Sequence, residues 1–379
     1  MNLVQTTITY PPAVGGLDRY VKETSEGLVK RGHDVTVITS DLEQPHGRKQ
    51  VTIPAGYVDL ARVQRFPVSR IPRVGLPYNT AMTSAIRNAK PALIHTHCVL
   101  HSPALFSWQV ARQQRVPLVV HTIFTPRTGI FWSAYHVLAR RMINDAKAVI
   151  AISDFERDLL MQAGVAKDRV TVLAPGVDLT AFETPKPPVL SRFGFEGNRV
   201  IVSLGRLAFG KRVDRLIQAL PSLIAKHPDV RLIVIGPDYG DEPRLRLIAR
   251  QLRLDSVITF AGSLGEADVA AVLQQSTVFA MTTDFELFGI TLIEAMAAGT
   301  AVVAPDVASV PTVVRDGVTG LLYRSNSVDD LAAGIDRVLA SDDLRGALVA
   351  AGRNEASTRF SFQRNLDTLE DIYRRAGAR

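Results

Sequence analysis

The feature that most restricts this chain is a repeated pairing of a short apolar run with a following stretch of helical spacing. Val35-Thr36-Val37-Ile38-Thr39, Ala92-Leu93-Ile94-His95, Leu118-Val119-Val120-His121 and Ala148-Val149-Ile150-Ala151-Ile152 are continuous apolar runs, not alternating ones. A strand of that kind is buried on both faces, which a parallel sheet covered by helices provides. Leu17, Tyr20, Val21, Thr24 and Leu28 recur at helical spacing ahead of Val35. The proline-bearing segment Thr184-Pro185-Lys186-Pro187-Pro188 then breaks the pattern and reads as a linker.

Beyond it the alternation restarts. Strands are expected at Arg199–Leu204, Arg231–Ile235, Val257–Ala261, Val278–Thr282 and Ala301–Ala304. Helices are expected at Arg212–Lys226, Glu242–Leu252, Glu266–Gln275, Ile290–Ala298 and Phe362–Arg375. The pattern argues two doubly wound α/β domains. Ligands of such sheets bind beyond the carboxyl ends of the strands, so the site is expected in the cleft between the domains.

A chain of 379 residues, 46% of them apolar, can build such cores. One cysteine, Cys98, excludes an internal disulfide framework and an all-cysteine zinc module. No apolar run approaches the ~18 residues of a spanning helix, and Met1-Asn2-Leu3-Val4 lacks a basic leader, so a cytoplasmic protein is expected. The net charge of +7 is concentrated. Between Gln44 and Asn144 stand 13 Lys and Arg, among them Arg62, Arg65, Arg70, Arg73, Arg87, Lys90, Arg112, Arg115, Arg140 and Arg141, against one acid, Asp59. That field suits an anionic partner such as a lipid headgroup or phosphorylated carrier, or forms a plain solvated face. Nothing resembling a zinc finger or aromatic-interleaved RNA signature accompanies it, so nucleic acid is not expected.

Three loops carry chemistry. Tyr10-Pro11-Pro12-Ala13-Val14-Gly15-Gly16 joins a strand to a helix, where glycines let backbone N–H groups approach a phosphate or sugar. Gly205-Arg206-Leu207-Ala208-Phe209-Gly210-Lys211 follows a strand and offers two cations to one anion, as a diphosphate leaving group requires. Glu286 and Glu294 flank an apolar helix start eight residues apart; a carboxylate among Ile, Leu, Ala and Met needs donors, and sugar hydroxyls serve. His95, His97, Cys98 and His101 superficially resemble a metal cluster, but no fourth ligand set is evident and no metal is expected. His121 ends a strand facing the expected cleft. The absence of any Asp-X-Asp motif leaves Arg206 and Lys211 to supply the positive charge.

Together these motifs resemble the retaining GT-B glycosyltransferases of sequence family four, which use nucleotide-sugar donors. Tyr10-Pro11-Pro12…Gly15-Gly16 and Arg31-Gly32-His33-Asp34-Val35 are similar to the family's N-terminal signature. Ala174-Pro175-Gly176-Val177-Asp178, Gly205-Arg206…Lys211, Glu286…Glu294 and Phe360–Tyr373 are similar to later family segments, in family order. Thr122 stands where many members carry Asp, and Ala308-Ser309-Val310-Pro311-Thr312 where Gly-Gly-Val-Pro-Glu is frequent.

The resemblance implies an acceptor domain at 1–180, a linker at 181–198, a donor domain at 199–358 and a C-terminal helix at 359–379 returning to the first domain. It implies that Gly15 and Gly16 approach the donor, that Arg206 and Lys211 stabilise the diphosphate, that Glu286 binds the transferred sugar and Glu294 the ribose, and that Phe288, Gly289 and Ile290 line the donor site. His121 would lie near the anomeric carbon. A metal-independent, retaining transfer of a hexose follows, with UDP-sugar favoured over GDP-mannose, a lipid, glycan or small-molecule hydroxyl as acceptor, and no cofactor. An anionic membrane surface on the cytoplasmic side is a further expected partner, through residues 44–144. The alternatives are a sugar-nucleotide epimerase and a non-catalytic binding module; a dehydrogenase is disfavoured by the missing Gly-x-Gly-x-x-Gly.

Overall fold

A computed structural model describes the chain apart from residues 45–48, 71–76, 124–129 and 379, and apart from the side chains of 130–136. Its contacts divide it into two units, Met1–Gly176 with Gln363–Arg379, and Val177–Phe362.

Unit one runs β1 (Asn2–Thr6), α1 (Gly16–Lys30), β2 (Asp34–Ser40), β3 (Arg62–Phe66), a small hairpin β4 (Ser69–Arg70) and β5 (Pro77–Tyr78), and α2 (Ala81–Asn88). It continues with β6 (Leu93–His97), α3 (Ser102–Gln114), β7 (Leu118–His121), α4 (Ile130–Asp145), β8 (Ala148–Ala151), α5 (Asp154–Gln162) and β9 (Val170–Val172). The strands form one sheet in the order β3-β2-β1-β6-β7-β8-β9, and every pairing is parallel. The continuous apolar runs take the central positions because helices cover both faces there. Edge strands β3 and β9 are partly exposed, and this is why their sequences carry no such run.

Unit two holds α6 (Thr180–Glu183), β10 (Arg199–Leu204), α7 (Val213–Lys226), β11 (Val230–Ile235), α8 (Glu242–Gln251), β12 (Ile258–Gly262), α9 (Glu266–Gln275) and β13 (Val278–Ala280). Then come α10 (Ile290–Ala298), β14 (Ala301–Pro305), α11 (Val310–Val313), β15 (Leu321–Tyr323), α12 (Val328–Ala340) and α13 (Asp342–Arg359). Its sheet order is β12-β11-β10-β13-β14-β15. In each sheet the order reverses beside the first strand, between β1 and β6 and between β10 and β13. Loops leaving neighbouring strands diverge there and open a crevice.

Two boundaries are fixed by named contacts. The segment read as a linker is fastened to unit two: the side-chain amides of Gln274 and Gln275 on α9 bond the backbone of Phe182, Thr184, Lys186, Pro187 and Val189. Prolines lack donors, but the carbonyls and amides between them are satisfied by two adjacent glutamines. At the other end, α14 (Phe362–Ala376) leaves unit two at its first residue and joins unit one. Leu366, Leu369, Ile372, Tyr373 and Ala376 form its buried stripe, while Arg31 reaches Asp367 at 2.7 Å and Glu370 at 3.0 Å.

Candidate active site

In unit two the loops after β10 and β13 are stitched together by hydrogen bonds to backbone carbonyls. Asp284 N–H donates to Gly210 O at 3.0 Å, Thr282 Oγ1 to Lys211 O at 2.8 Å and Thr283 Oγ1 to Gly210 O at 3.2 Å. This brings two residues 75 positions apart into contact: Lys211 Nζ lies 2.8 Å from Glu286 Oε2, both partly buried. Glu286 is held from behind, because Ser309 donates to its carbonyl through Oγ at 2.7 Å and through N–H at 3.2 Å. Ser309 thus has a positional duty in this chain.

Arg206 is exposed, its guanidinium 5.2 Å from the Tyr239 ring centre, and it does not join the Lys211–Glu286 pair. Glu294 is buried within α10, in line with its apolar surroundings in sequence. Gly289 caps α10 at φ +88, and a Cβ there would meet Leu292 Cδ1 at 2.7 Å, so only glycine fits comfortably. Phe288 is buried against Phe360, ring centres 5.8 Å apart, and Ile290 begins the helix. Arg212 and Arg215, which sequence reasoning passed over, converge on Asp284 at 3.4 and 2.7 Å. Their spacing at a helix start is the signal that could have found them.

In unit one Gly15 caps α1 and Gly16 opens it. A Cβ on Gly15 would stand 2.6 Å from Asp18 Oδ2, whose partner oxygen accepts from Thr9 Oγ1 at 2.6 Å. Tyr20, further along α1, meets the His121 ring edge-on at 5.4 Å.

The structure alters the reading of the histidines. His121 is fully buried, and it is the partner that sequence neighbours could not supply. His95 and His97 share one face of β6, and His121 on β7 is in register with His97, so the three rings meet. Their centres are 4.1, 5.9 and 5.6 Å apart. Cys98, at φ +66, and His101 fall outside the group. Burial pushes His121 down to about 3, and burial followed by the neighbouring imidazoles lowers His95 and His97. All three are therefore neutral near pH 7. Thr122, next in line, is also buried and donates to Glu156 Oε1 at 2.7 Å. Its hydroxyl serves the interior.

Two sheets whose order reverses at the strands bearing these loops match the solved glycosyltransferases of the GT-B type. The Anabaena protein HepE, solved with UDP and glucose, superposes with a TM-score of 0.79 over 98% of this chain and 99% of its own at 19% identity. Residues 14–181 match Glycosyltransferase Family 4 and residues 191–355 match Glycosyl transferases group 1. The phosphatidyl-myo-inositol mannosyltransferase of Mycolicibacterium smegmatis is 31% identical over 89% of this chain and 84% of its own. The D-inositol 3-phosphate glycosyltransferase of Saccharomonospora viridis is 29% identical over 96% and 90%. The chain belongs to the GT-B glycosyltransferases of family four. It is accordingly a glycosyltransferase, and the epimerase alternative gains no support.

Proposed function

We propose that this glycosyltransferase transfers a hexose from a nucleoside diphosphate sugar to a hydroxyl acceptor with retention, without a donor-bound metal. The observation that carries the reading is the Lys211–Glu286 pair at the ends of β10 and β13. A diphosphate arriving there competes for the ammonium, whose charge stabilises the oxygen that gains negative charge as the glycosidic bond breaks. Glu286, released from Lys211, is then free to accept a sugar hydroxyl. Arg206, exposed at the loop start, can swing to the same diphosphate. Glu294 is assigned to the ribose, and Gly15, Gly16, Phe288, Gly289 and Ile290 to the walls around the donor. His121 is assigned to the donor sugar. The departing phosphate takes the acceptor proton, so no separate nucleophile is required.

UDP-sugar is the first donor to test, since HepE was solved with UDP and glucose. GDP-mannose is second, since one relative is named a mannosyltransferase. Thermal shifts with UDP, GDP and ADP rank the nucleotides, because a ligand bound to the native state raises its apparent stability. Lys211→Ala and Glu286→Ala should each lower turnover at least tenfold in a folded chain, and the product anomer read by NMR should keep the donor's configuration. Wild-type turnover in either variant removes the assignment; an inverted anomer removes retention.

A second reading concerns the acceptor. Arg62, Arg87, Lys90, Arg112, Arg115, Arg140 and Arg141 are exposed, whereas Arg65 is bound up with Pro11 O and Asp59; Arg73 lies outside the described residues. This field supports an anionic acceptor or membrane surface. Among the described residues no helix is long and apolar enough to cross a membrane. Sedimentation with anionic vesicles should therefore fall away at high salt and with neutral lipid; binding indifferent to both defeats it.

A further inference from the structure

Two arginines stand at the start of α7, Arg212 at its N-terminal cap and Arg215 in its first turn. A helix presents its positive pole there, so cations are disfavoured and need compensation. Arg215 is buried, its side chain only 5% exposed, and a buried guanidinium is tolerated where acceptors surround it. Its acceptors come from two other loops. Nη2 lies 2.7 Å from Asp284 Oδ1 and donates to Asn326 Oδ1, while Nη1 donates to Thr282 O at 3.4 Å. Arg212 reaches the second carboxylate oxygen of Asp284 at 3.4 Å and holds a left-handed φ of +52. A residue with a side chain keeps that conformation where its surroundings enforce it.

We propose that Arg215, acting through Asp284, is the positioning residue that sets Lys211 against Glu286. The proposal rests on the reading of Lys211 as the cation for the donor diphosphate. Side chains in a helix lean toward its N-terminus, which carries the Arg215 guanidinium back beneath the loops and away from solvent. There it grips Asp284, two residues before Glu286. Asp284 N–H and the Thr283 hydroxyl hold Gly210 O, and the Thr282 hydroxyl holds Lys211 O. One buried cation thus fixes the loop bearing Glu286 to the loop bearing Lys211. Arg215 is too enclosed to meet a donor itself, so its influence on a bound diphosphate passes through Lys211.

The test measures calorimetric affinity of the full chain for UDP and GDP, each beside its monophosphate. The ratio within a pair isolates the terminal phosphate and needs neither sugar nor acceptor. The wild-type chain should prefer a diphosphate, and Lys211→Ala should lower that preference at least about tenfold. Arg215→Met and Asp284→Asn should each lower it about fivefold and leave monophosphate affinity unchanged. These two substitutions change the local charge in opposite directions. Long-range attraction alone would make Asp284→Asn raise the preference, whereas loss of positioning lowers it in both. With Lys211 already replaced by Ala, Arg215→Met should change nothing further, since no cation remains to be placed. Asp284 is exposed and its Asn variant keeps the backbone N–H, so that variant carries the test should Arg215→Met fail to fold.

If Lys211→Ala keeps the wild-type preference, or the wild-type chain shows none, the diphosphate reading falls and the positioning role with it. If Lys211→Ala loses the preference while either folded variant keeps or raises it, the reading stands and the positioning role is overturned. An equal loss on Arg215→Met with and without Lys211 overturns it too.

Discussion

Replacing Leu369 by Ala should unfold unit one early and leave unit two alone, although position 369 follows the whole of unit two in sequence. Leu369 is fully buried on α14, in a stripe with Leu366, Ile372 and Tyr373. Removing a buried leucine to Ala costs about 3 kcal/mol, the transfer loss plus the cavity left behind. Unit one contains roughly 190 residues, and for that size each kcal/mol moves the melting midpoint by about 2–4 °C. The expected drop is therefore about 6–12 °C. The assay is selective by composition: the two tryptophans, Trp108 and Trp132, both belong to the first unit's sequence. Tryptophan fluorescence follows that unit, while calorimetry records both transitions. Leu247→Ala, at a position 52% exposed in unit two, serves as the control and should shift neither. A fluorescence midpoint lowered by less than about 2 °C, or a shift confined to the transition that fluorescence does not see, would refute the assignment of α14 to the first core.

Three further outcomes are expected. Ala308 holds a left-handed backbone at φ +46, so Ala308→Gly should stabilise unit two by about 0.5–1 kcal/mol, measured by urea denaturation; a loss of stability would show the strain is absent. Thr122→Val keeps the shape but deprives buried Glu156 of the 2.7 Å donor and should cost about 1–3 kcal/mol in the tryptophan-detected transition; a neutral result contradicts it. Asp229 is held at about 2 by the Arg199 guanidinium, which hydrogen-bonds it at 2.6 and 2.7 Å. A carboxylate with a lowered native pKa stabilises above its unfolded value of about 4, and that contribution is lost as pH falls from 4 through 2. The side chain is 42% exposed, so screening keeps its worth to about 1 kcal/mol or less. Asp229→Asn should flatten the acid-unfolding curve in that window, and an unchanged slope argues against the pair.

Much of the fold was legible because central parallel strands are buried on both faces and therefore written as uninterrupted apolar runs. The observed helices Glu266–Gln275 and Ile290–Ala298 coincide with those read from spacing, and the strand at Arg199–Leu204 does too. β3, with half-buried residues at a sheet edge, lacks that signature and escaped notice. Gly15 was legible as well, at a strand-to-helix turn, whereas Gly289 entered only through the family resemblance and its φ of +88 comes from the structure. Ser309 was read only as a departure from a family pattern, because its contact with the Glu286 carbonyl crosses 23 residues.

What the sequence determined by itself is whatever one element's own period and end residues encode: the strands, the helices, and the loops able to carry anion chemistry. The tertiary structure alone decided which distant groups share an environment. It set Lys211 against Glu286 and put His121 in register with His97. The reason is that such neighbours are fixed by strand order and by which apolar face finds cover, and both are properties of the assembled sheets that no local stretch of residues contains.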